Sequence, residues 1–208
     1  MEILLIVNPI AGDKNKTSFI SYARDLFQKL NLSFRVYKTR GENDVKEVQS
    51  ILDHDHPEKI IVVGGDGTLN LFLKLFQDAK ALVGFIPMGS ANGMAEEFEL
   101  SATPRVLLRK FIDSDKHFKV DLLLINQTFH LLHLADVGAN AQLVANYDRE
   151  NARGFLSYAK HFWKVFNNLK SFQYVIETPE NTYERNGVML AICNGRKFGT
   201  GIPLNTIG

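Results

Sequence analysis

The run of residues 60–70 places a glycine-rich loop directly after an apolar, strand-like segment. Its sequence is Ile-Ile-Val-Val-Gly-Gly-Asp-Gly-Thr-Leu-Asn. The branched side chains of residues 60–63 predict a buried strand, and the glycines allow backbone conformations that other residues avoid. A helix is expected to begin at about Thr68, where free backbone N–H groups and the helix dipole attract anions. The run therefore predicts a phosphate-binding loop between a strand and a helix.

Asp66 lies inside this loop and narrows the choice of phosphate ligand. A carboxylate repels a polyphosphate unless a cation, an ordered water or a donor lies between them, so the functional interpretation is a magnesium-linked nucleotide. The structural interpretation is that Asp66 or Thr68 only caps the following helix. Capping alone would not require glycine at 64, 65 and 67. The glycines therefore favour phosphate binding.

Strand-like and helix-like segments alternate through the first half of the chain. Strands are predicted at residues 3–7, 33–39, 60–63 and 82–86, and helices at 17–30, at 45–52 and from 68 through 76. This alternation predicts an α/β domain with a doubly wound, mainly parallel sheet. Small or polar loops follow three of the strands, at residues 8–12, 64–68 and 89–93. Because ligands of such folds bind at the carboxyl ends of the strands, these loops are expected to meet at one cleft.

The pattern changes after about residue 119. Residues 118–125 and 129–137 predict two strands of an antiparallel hairpin, with a turn at 126–128. A helix is expected at 153–169, and further strands at 172–177 and 187–193. The sequence therefore predicts two domains, a nucleotide-binding α/β domain over 1–119 and a partial β-rich domain with an inserted helix, incomplete at its C-terminus, over 120–208.

Composition excludes several classes of protein. The chain has 24 Lys and Arg against 23 Asp and Glu, a net charge of +1, which gives no electrostatic footprint for nucleic acid. The single cysteine, Cys193, allows no internal disulfide. The first apolar run is too short for a signal peptide, and no run is long enough to span a bilayer. A cytoplasmic protein is expected, and any membrane contact should be local.

Three ordered motifs resemble those of the diacylglycerol kinase catalytic domain family, which includes bacterial lipid kinases and sphingosine kinases. The motifs are Asn8-Pro9 with Ala11-Gly12, Gly64-Gly65-Asp66-Gly67-Thr68, and Pro87-Met88-Gly89-Ser90-Ala91-Asn92. The second motif alone is shared with NAD kinases and, in altered form, with phosphofructokinases. The resemblance continues through Thr39, Asp121 and residues 194–201, so it covers essentially the whole chain.

The resemblance implies ATP-dependent phosphorylation of a lipid hydroxyl, such as that of diacylglycerol, as in phospholipid biosynthesis. It implies an NAD kinase-like or phosphofructokinase-like α/β domain followed by a β-rich domain. ATP and Mg²⁺ are the implied cofactors, and a lipid acceptor and transient contact with a membrane surface are the implied partners. A homodimer is left open, and no nucleic acid is expected.

The resemblance also implies the site residues. Asp66 is the implied catalytic residue, and Asp66 and Asp121 are implied to contact magnesium through water. The implied nucleotide-binding residues are Asn8, Pro9, Gly12, Thr39, Gly64, Gly65, Gly67, Thr68, Asn70, Gly89, Ser90 and Asn92.

Three departures from the family pattern bear on activity. Leu71 and Gly93 stand where family members commonly have Glu and Asp, so one carboxylate of the expected network is missing. The family also continues to an Asp-Gly motif and a later acidic base, which this chain lacks before Gly208. A catalytically incomplete fragment is expected, with nucleotide binding and no robust turnover. The alternatives are a non-catalytic nucleotide- or lipid-binding regulator and an NAD kinase-like enzyme, although no Asn-Glu pair follows the first loop.

Overall fold

The first part of the chain folds around a four-stranded parallel sheet. The computed structural model describes residues 2–12, 15–90, 92–139, 169–198 and 202–203. The strands of this sheet are β1 (Glu2–Val7), β2 (Ser33–Lys38), β3 (Lys59–Gly64) and β4 (Leu82–Pro87). Their order is β2-β1-β3-β4, and all neighbouring pairs are parallel. Parallel strands with helical crossovers are the arrangement that the alternating sequence predicts.

Among the described residues, six helices accompany this sheet. They are α1 (Thr17–Lys29), α2 (Asp44–Asp55), α3 (Asp66–Leu71), α4 (Leu73–Asp78), α5 (Gly93–Glu97) and α6 (Pro104–Asp113). The prediction of one helix after the glycine loop is wrong, because the chain leaves helical geometry at Phe72. The Phe72 side chain is fully buried. Phe72 therefore forms a buried break between two short helices.

The two faces of the sheet pack against different helices, as the period of a strand requires. On β1, Ile3, Leu5 and Val7 belong to a core with α1 and α6. Leu4 and Ile6 belong to a second core, which contains buried residues of α2, α3, α4 and α5. Both faces of β1 and β3 are buried, which explains why these strands are continuous apolar runs.

Lys59 connects the start of β3 to the end of α6. Its buried ammonium group donates to the carbonyl oxygens of Phe111, Ile112 and Ser114 at 2.9, 3.0 and 3.0 Å. These carbonyls lie at the carboxyl end of the helix, where a cation is favourable. The interaction compensates for burial of the lysine and fixes the end of α6 against the sheet.

The second part of the chain is rich in short strands. They are β5 (Leu123–Ile125), β6 (Phe129–Leu131), β7 (Leu134–Gly138), β8 (Phe172–Glu177), β9 (Thr182–Gly187), β10 (Met189–Cys193), β11 (Lys197–Phe198) and β12 (Ile202–Pro203). The antiparallel pairs are β5 with β6, β7 with β10, β8 with β9 and β11 with β12. The predicted α/β domain followed by a β-rich part is confirmed.

Two strand predictions in this part are corrected. The predicted hairpin at the 126–128 turn exists, with Asn126 and Gln127 at positive φ, but its second strand ends at Leu131. Residues 129–137 are not one strand, since β7 pairs instead with β10. Strand β9 was not predicted because its polar, exposed residues carry no hydrophobic alternation. The helix predicted at 153–169 falls largely outside the described residues.

Contacts divide the chain into two compact units. One is Met1–His133 together with Asn194–Gly208, and the other is Leu134–Cys193. The boundary predicted at residues 119/120 stays a prediction. Within the described ranges, the structure contains no helix of the length and hydrophobicity needed to cross a bilayer.

Candidate phosphate-binding site

Three loops approach one another at the carboxyl ends of β1, β3 and β4, all within the first unit. A Cβ on Gly12 would lie 2.9 Å from the Met88 carbonyl oxygen, and Gly12 has φ +62°. A Cβ on Gly89 would lie 2.5 Å from the Cα of Gly65. No side chain fits at such distances from backbone atoms. Glycine is therefore needed at 12 and 89 for the loops to lie this close together.

Side chains join the first two loops. The Asn8 side-chain amide donates to Thr68 Oγ1 at 3.0 Å, and the Asn8 backbone N–H donates to the Val63 carbonyl at 2.9 Å. Thr68 is buried, and a Cβ on Gly64 would lie 2.5 Å from its Oγ1. The glycine thus makes room for the threonine hydroxyl. These contacts place the loop after β1 against the start of α3.

The third loop is closed by Asn92. Its Oδ1 accepts the Gly89 N–H and its Nδ2 donates to the Gly89 carbonyl, both at 3.0 Å. The Asn92 backbone carbonyl accepts the N–H of Ala95 at 3.0 Å at the start of α5. Asn92 therefore fixes a tight turn directly before a helix.

Asp66 links the glycine loop to α5. Its Oδ2 accepts the Gly93 N–H at 2.6 Å and its Oδ1 accepts the Met94 N–H at 3.2 Å. Burial raises the pKa of Asp66, and these two hydrogen bonds and the charge of His133 oppose the rise only in part. The hydrogen bonds of Asp66 therefore run to a different helix from the one that the capping interpretation expects. Asp66 begins α3, but it binds the first backbone amides of α5, 27 and 28 residues further along the chain.

The remaining predicted nucleotide residues differ in exposure. Pro9, Gly67, Asn70 and Ser90 are exposed, and the space that a Cβ on Gly67 would occupy is empty within 4 Å. Thr39 follows β2 and donates its backbone N–H to Val7 at 2.9 Å, which places it beside the end of β1. The exposed residues leave the outer side of the glycine loop accessible to a ligand.

The described residues contain no cluster of metal-binding side chains around Asp66. Among them, no group of three or more His, Cys, Asp or Glu side chains could hold a metal. Asp121 is exposed and lines a cavity of about 490 Å³ together with Glu97 and Arg196, and Asp66 is not among the residues lining it. The prediction that Asp66 and Asp121 contact magnesium through water stays a prediction.

Sequence reasoning missed three residues, His133, Glu97 and Arg196, of which His133 lies nearest to Asp66. His133 lies beside Asp66 and Gly93, and Glu97 is bound by Arg196, which donates its backbone N–H at 3.0 Å and its Nε–H at 3.2 Å. His133 lies within residues 129–137, which the alternating pattern predicts to be one strand, and that pattern gives it no role in the site. The signal that could have found it is the glycine at 93, since an unusual glycine indicates close approach of another group.

Comparison with known proteins decides the family. Residues 2–125 match the family model of the diacylglycerol kinase catalytic domain. This chain belongs to that family. The membership predicted from the three motifs is confirmed, and the glycine loop, the loop after β1 and the loop after β4 all lie within the matched residues of this diacylglycerol kinase-type domain.

Individual relatives agree. A Staphylococcus carnosus (strain TM300) protein named "Putative lipid kinase" is 29% identical over 79% of this chain and 54% of its own length. A Shewanella frigidimarina (strain NCIMB 400) protein named "Probable lipid kinase YegS-like" is 28% identical over 71% of this chain and 49% of its own length. The chain thus spans about half the length of these lipid kinase-type relatives.

A solved structure supports the fold. The crystal structure of a diacylglycerol kinase from Bacillus anthracis str. Sterne superposes with a TM-score of 0.70 at 21% identity, covering 98% of this chain and 67% of that one. At this identity the similarity shows that the two chains share a fold.

Proposed function

We propose that this chain provides the nucleotide-binding part of an ATP-dependent lipid kinase, which transfers the γ-phosphate of ATP to a lipid hydroxyl. The observation that carries the proposal is the meeting of three loops at the carboxyl ends of parallel strands, with glycine at the points of closest approach. Exposed backbone at such a place suits phosphate groups. Family membership and the names of the relatives support a lipid as the acceptor.

In this proposal the loops bind and orient the nucleotide. Phosphoryl transfer depends mainly on positioning and charge stabilisation, so a rigid loop frame is the main requirement. The glycine loop and the loop after β4 would contact the phosphates through backbone N–H groups. Asn8 and Thr68 would hold the loop after β1 against the start of α3, while Asp66 would fix the glycine loop against α5. Mg²⁺ enters the proposal bound to ATP, as part of the substrate.

Diacylglycerol is the proposed acceptor, and transient contact with a membrane surface is the proposed way to reach it. Both follow from the family, since the similar proteins include a diacylglycerol kinase and a sphingosine kinase. A cytoplasmic location accompanies this proposal.

Binding of MgATP tests the first part of the proposal. Gly89→Ala should weaken ATP binding about tenfold or more, measured by isothermal titration, because its Cβ would push the loop after β4 away from Gly65. Gly187→Ala is the matched control, since this glycine lies in β9 of the other unit and its Cβ would meet the edge of the Tyr174 ring at 3.2 Å. Equal affinity of Gly89→Ala and wild type would contradict a phosphate site at this loop.

Transfer of label tests the second part. The full-length protein is incubated with MgATP labelled on its γ-phosphate and with vesicles containing diacylglycerol or sphingosine. Label in a lipid fraction supports the kinase proposal. Label on added NAD instead would identify the NAD kinase-like alternative. ATP binding with no labelled product would identify a non-catalytic regulator.

A further inference from the structure

The imidazole of His133 is packed between two buried glycines of the first unit. A Cβ on Gly93 would lie 2.6 Å from its Cε1 and 3.0 Å from its Nδ1. On the other side, a Cβ on Gly195 would lie 2.7 Å from its Cδ2 and 3.2 Å from its Nε2. Neither position could carry a side chain unless the ring moved. The two glycines therefore create the space that the imidazole occupies.

A carboxylate lies beside each of the two glycines that border the ring. Asp66 Oδ2 is 3.2 Å from the position that a Cβ on Gly93 would take, and Glu97 Oε2 is 3.3 Å from the position that a Cβ on Gly195 would take. These carboxylates come from α3 and α5, and Arg196, the residue after Gly195, binds the Glu97 carboxylate. Burial raises the pKa of Asp66, and the charge of His133 is one of the influences that lower it.

The backbone on both sides of the imidazole is also fixed. The His133 carbonyl accepts the N–H groups of Asn194 and Gly195 at 2.7 and 3.0 Å. Arg196 binds the Glu97 carboxylate with its backbone N–H and its side chain. The Asn194 side chain donates to the carbonyls of Leu132 and Asp121 at 2.8 and 2.7 Å. The ring therefore has little freedom to leave its place beside Asp66.

We propose that His133 is a positioning residue, which holds Asp66 and thereby the glycine loop in the nucleotide-binding geometry without a metal ion at Asp66. The sequence pattern suggested that Gly93 is a lost carboxylate of a magnesium network. Its contacts give it a different role, because an aspartate at this position would occupy the volume of the imidazole. The ring occupies the space that the side chain of a second acid at position 93 would need, so an imidazole stands beside Asp66 in place of that carboxylate.

The first experiment measures coupling between the two residues. His133→Gln should weaken MgATP binding about tenfold in the wild-type background and have less than about a twofold effect in the Asp66→Asn background. His130→Gln is the matched control, a half-buried histidine three residues earlier, and should change the affinity less than about twofold. An equal loss from His133→Gln in both backgrounds would overturn the proposal, because a purely structural effect would not depend on Asp66.

The second experiment asks whether Asp66 needs a metal. The melting temperature of the chain without nucleotide is measured in EDTA and in Mg²⁺. The melting temperature of wild type should differ by less than about 1 °C between the two conditions. A protein stabilised by a bound ion would melt at a higher temperature in Mg²⁺. The double variant Gly93→Asp/His133→Ala places a second carboxylate where the ring was, and Mg²⁺ should raise its melting temperature by about 4 °C or more.

The ligand in these experiments, MgATP, is taken from the proposed function. Their outcomes distinguish a failure of the proposed function from a failure of the role proposed for His133. If wild type binds no MgATP, the proposed function fails, and coupling of His133→Gln and Asp66→Asn is read from melting temperatures alone. Additive changes in melting temperature would then overturn the positioning role. Stabilisation of wild type by Mg²⁺ to the same extent as the double variant would overturn it too, because the ion would already be bound at Asp66.

Discussion

Asp44 and Asp66 make the same kind of contact in two places. Each carboxylate accepts two backbone N–H groups of adjacent residues. Asp44, the first residue of α2, accepts those of Arg40 and Gly41, both at 2.8 Å. Asp66 accepts those of Gly93 and Met94. In both cases an aspartate at the start of a helix fastens a second segment of the chain.

Their pKa values nevertheless move in opposite directions. Burial acts to raise the pKa of Asp44, but a third donor, the Tyr37 hydroxyl at 2.6 Å, joins the two amides and holds that pKa below its usual range. At Asp66 burial prevails and raises the pKa. Asp44 is therefore satisfied as an anion and serves structure, whereas Asp66 carries an incompletely compensated charge, as expected at a functional site.

The largest difference between Asp66 and Asp44 should appear in the rate of phosphoryl transfer. Asp66→Asn should lower phosphoryl transfer at least about 100-fold in a preparation that labels lipid, because the amide replaces one acceptor by a donor and frees the glycine loop from α5. Its melting temperature should change by less than about 3 °C, since removal of an unfavourably buried charge offsets the lost hydrogen bond. Retained transfer would show that Asp66 is only a helix cap.

Asp44→Asn should have the opposite profile. The change should lower stability by about 2 kcal/mol and the melting temperature by roughly 4–8 °C, because three donors lose a charged acceptor. Thermal melting followed by circular dichroism measures this effect, with Asp53→Asn on the exposed face of α2 as the control. A smaller loss of stability for Asp44→Asn than for Asp66→Asn would contradict a mainly structural role for Asp44.

The sequence predicted the frame around both aspartates better than their contacts. The four parallel strands and the meeting of three loops followed from apolar runs and from the rule for strand ends. The hydrogen-bond partners of Asp66 lie 27 and 28 residues away and are backbone groups, so no side-chain motif predicts these contacts.

His133 illustrates why the rest of the site was not predicted. Residues 129–137 alternate well enough to be taken for one strand, which would direct His130 and His133 to opposite faces. The break after Leu131 removes that constraint. The space for the ring comes from Gly93 and Gly195, two residues far apart in the chain. The role of such a glycine can be recognised only when its neighbours in space are known.

The pH dependence of stability should separate the two aspartates. The pKa of Asp44 is lowered, so its contribution should be constant above about pH 5 and be lost as the pH falls below about 4. The pKa of Asp66 is raised, so its contribution should be present below about pH 4 and be lost as the pH rises toward neutrality. Urea unfolding of wild type and each Asp→Asn variant between pH 3 and about 7 measures both differences. Parallel pH profiles would contradict the assigned directions.

The smallest expected effect comes from the donor that distinguishes the two sites. Tyr37→Phe removes the hydroxyl and leaves Asp44 with two backbone N–H groups, the same number as Asp66. Stability should fall by about 1 kcal/mol, equivalent to roughly 2–4 °C, and the acid-side loss assigned to Asp44 should begin at higher pH. Tyr22→Phe is the control, since it keeps the ring that Arg105 stacks on. If the acid-side profile of Tyr37→Phe equals that of wild type, the hydroxyl does not account for the low pKa of Asp44, and the cause must lie in the two amides and the charge of Arg40.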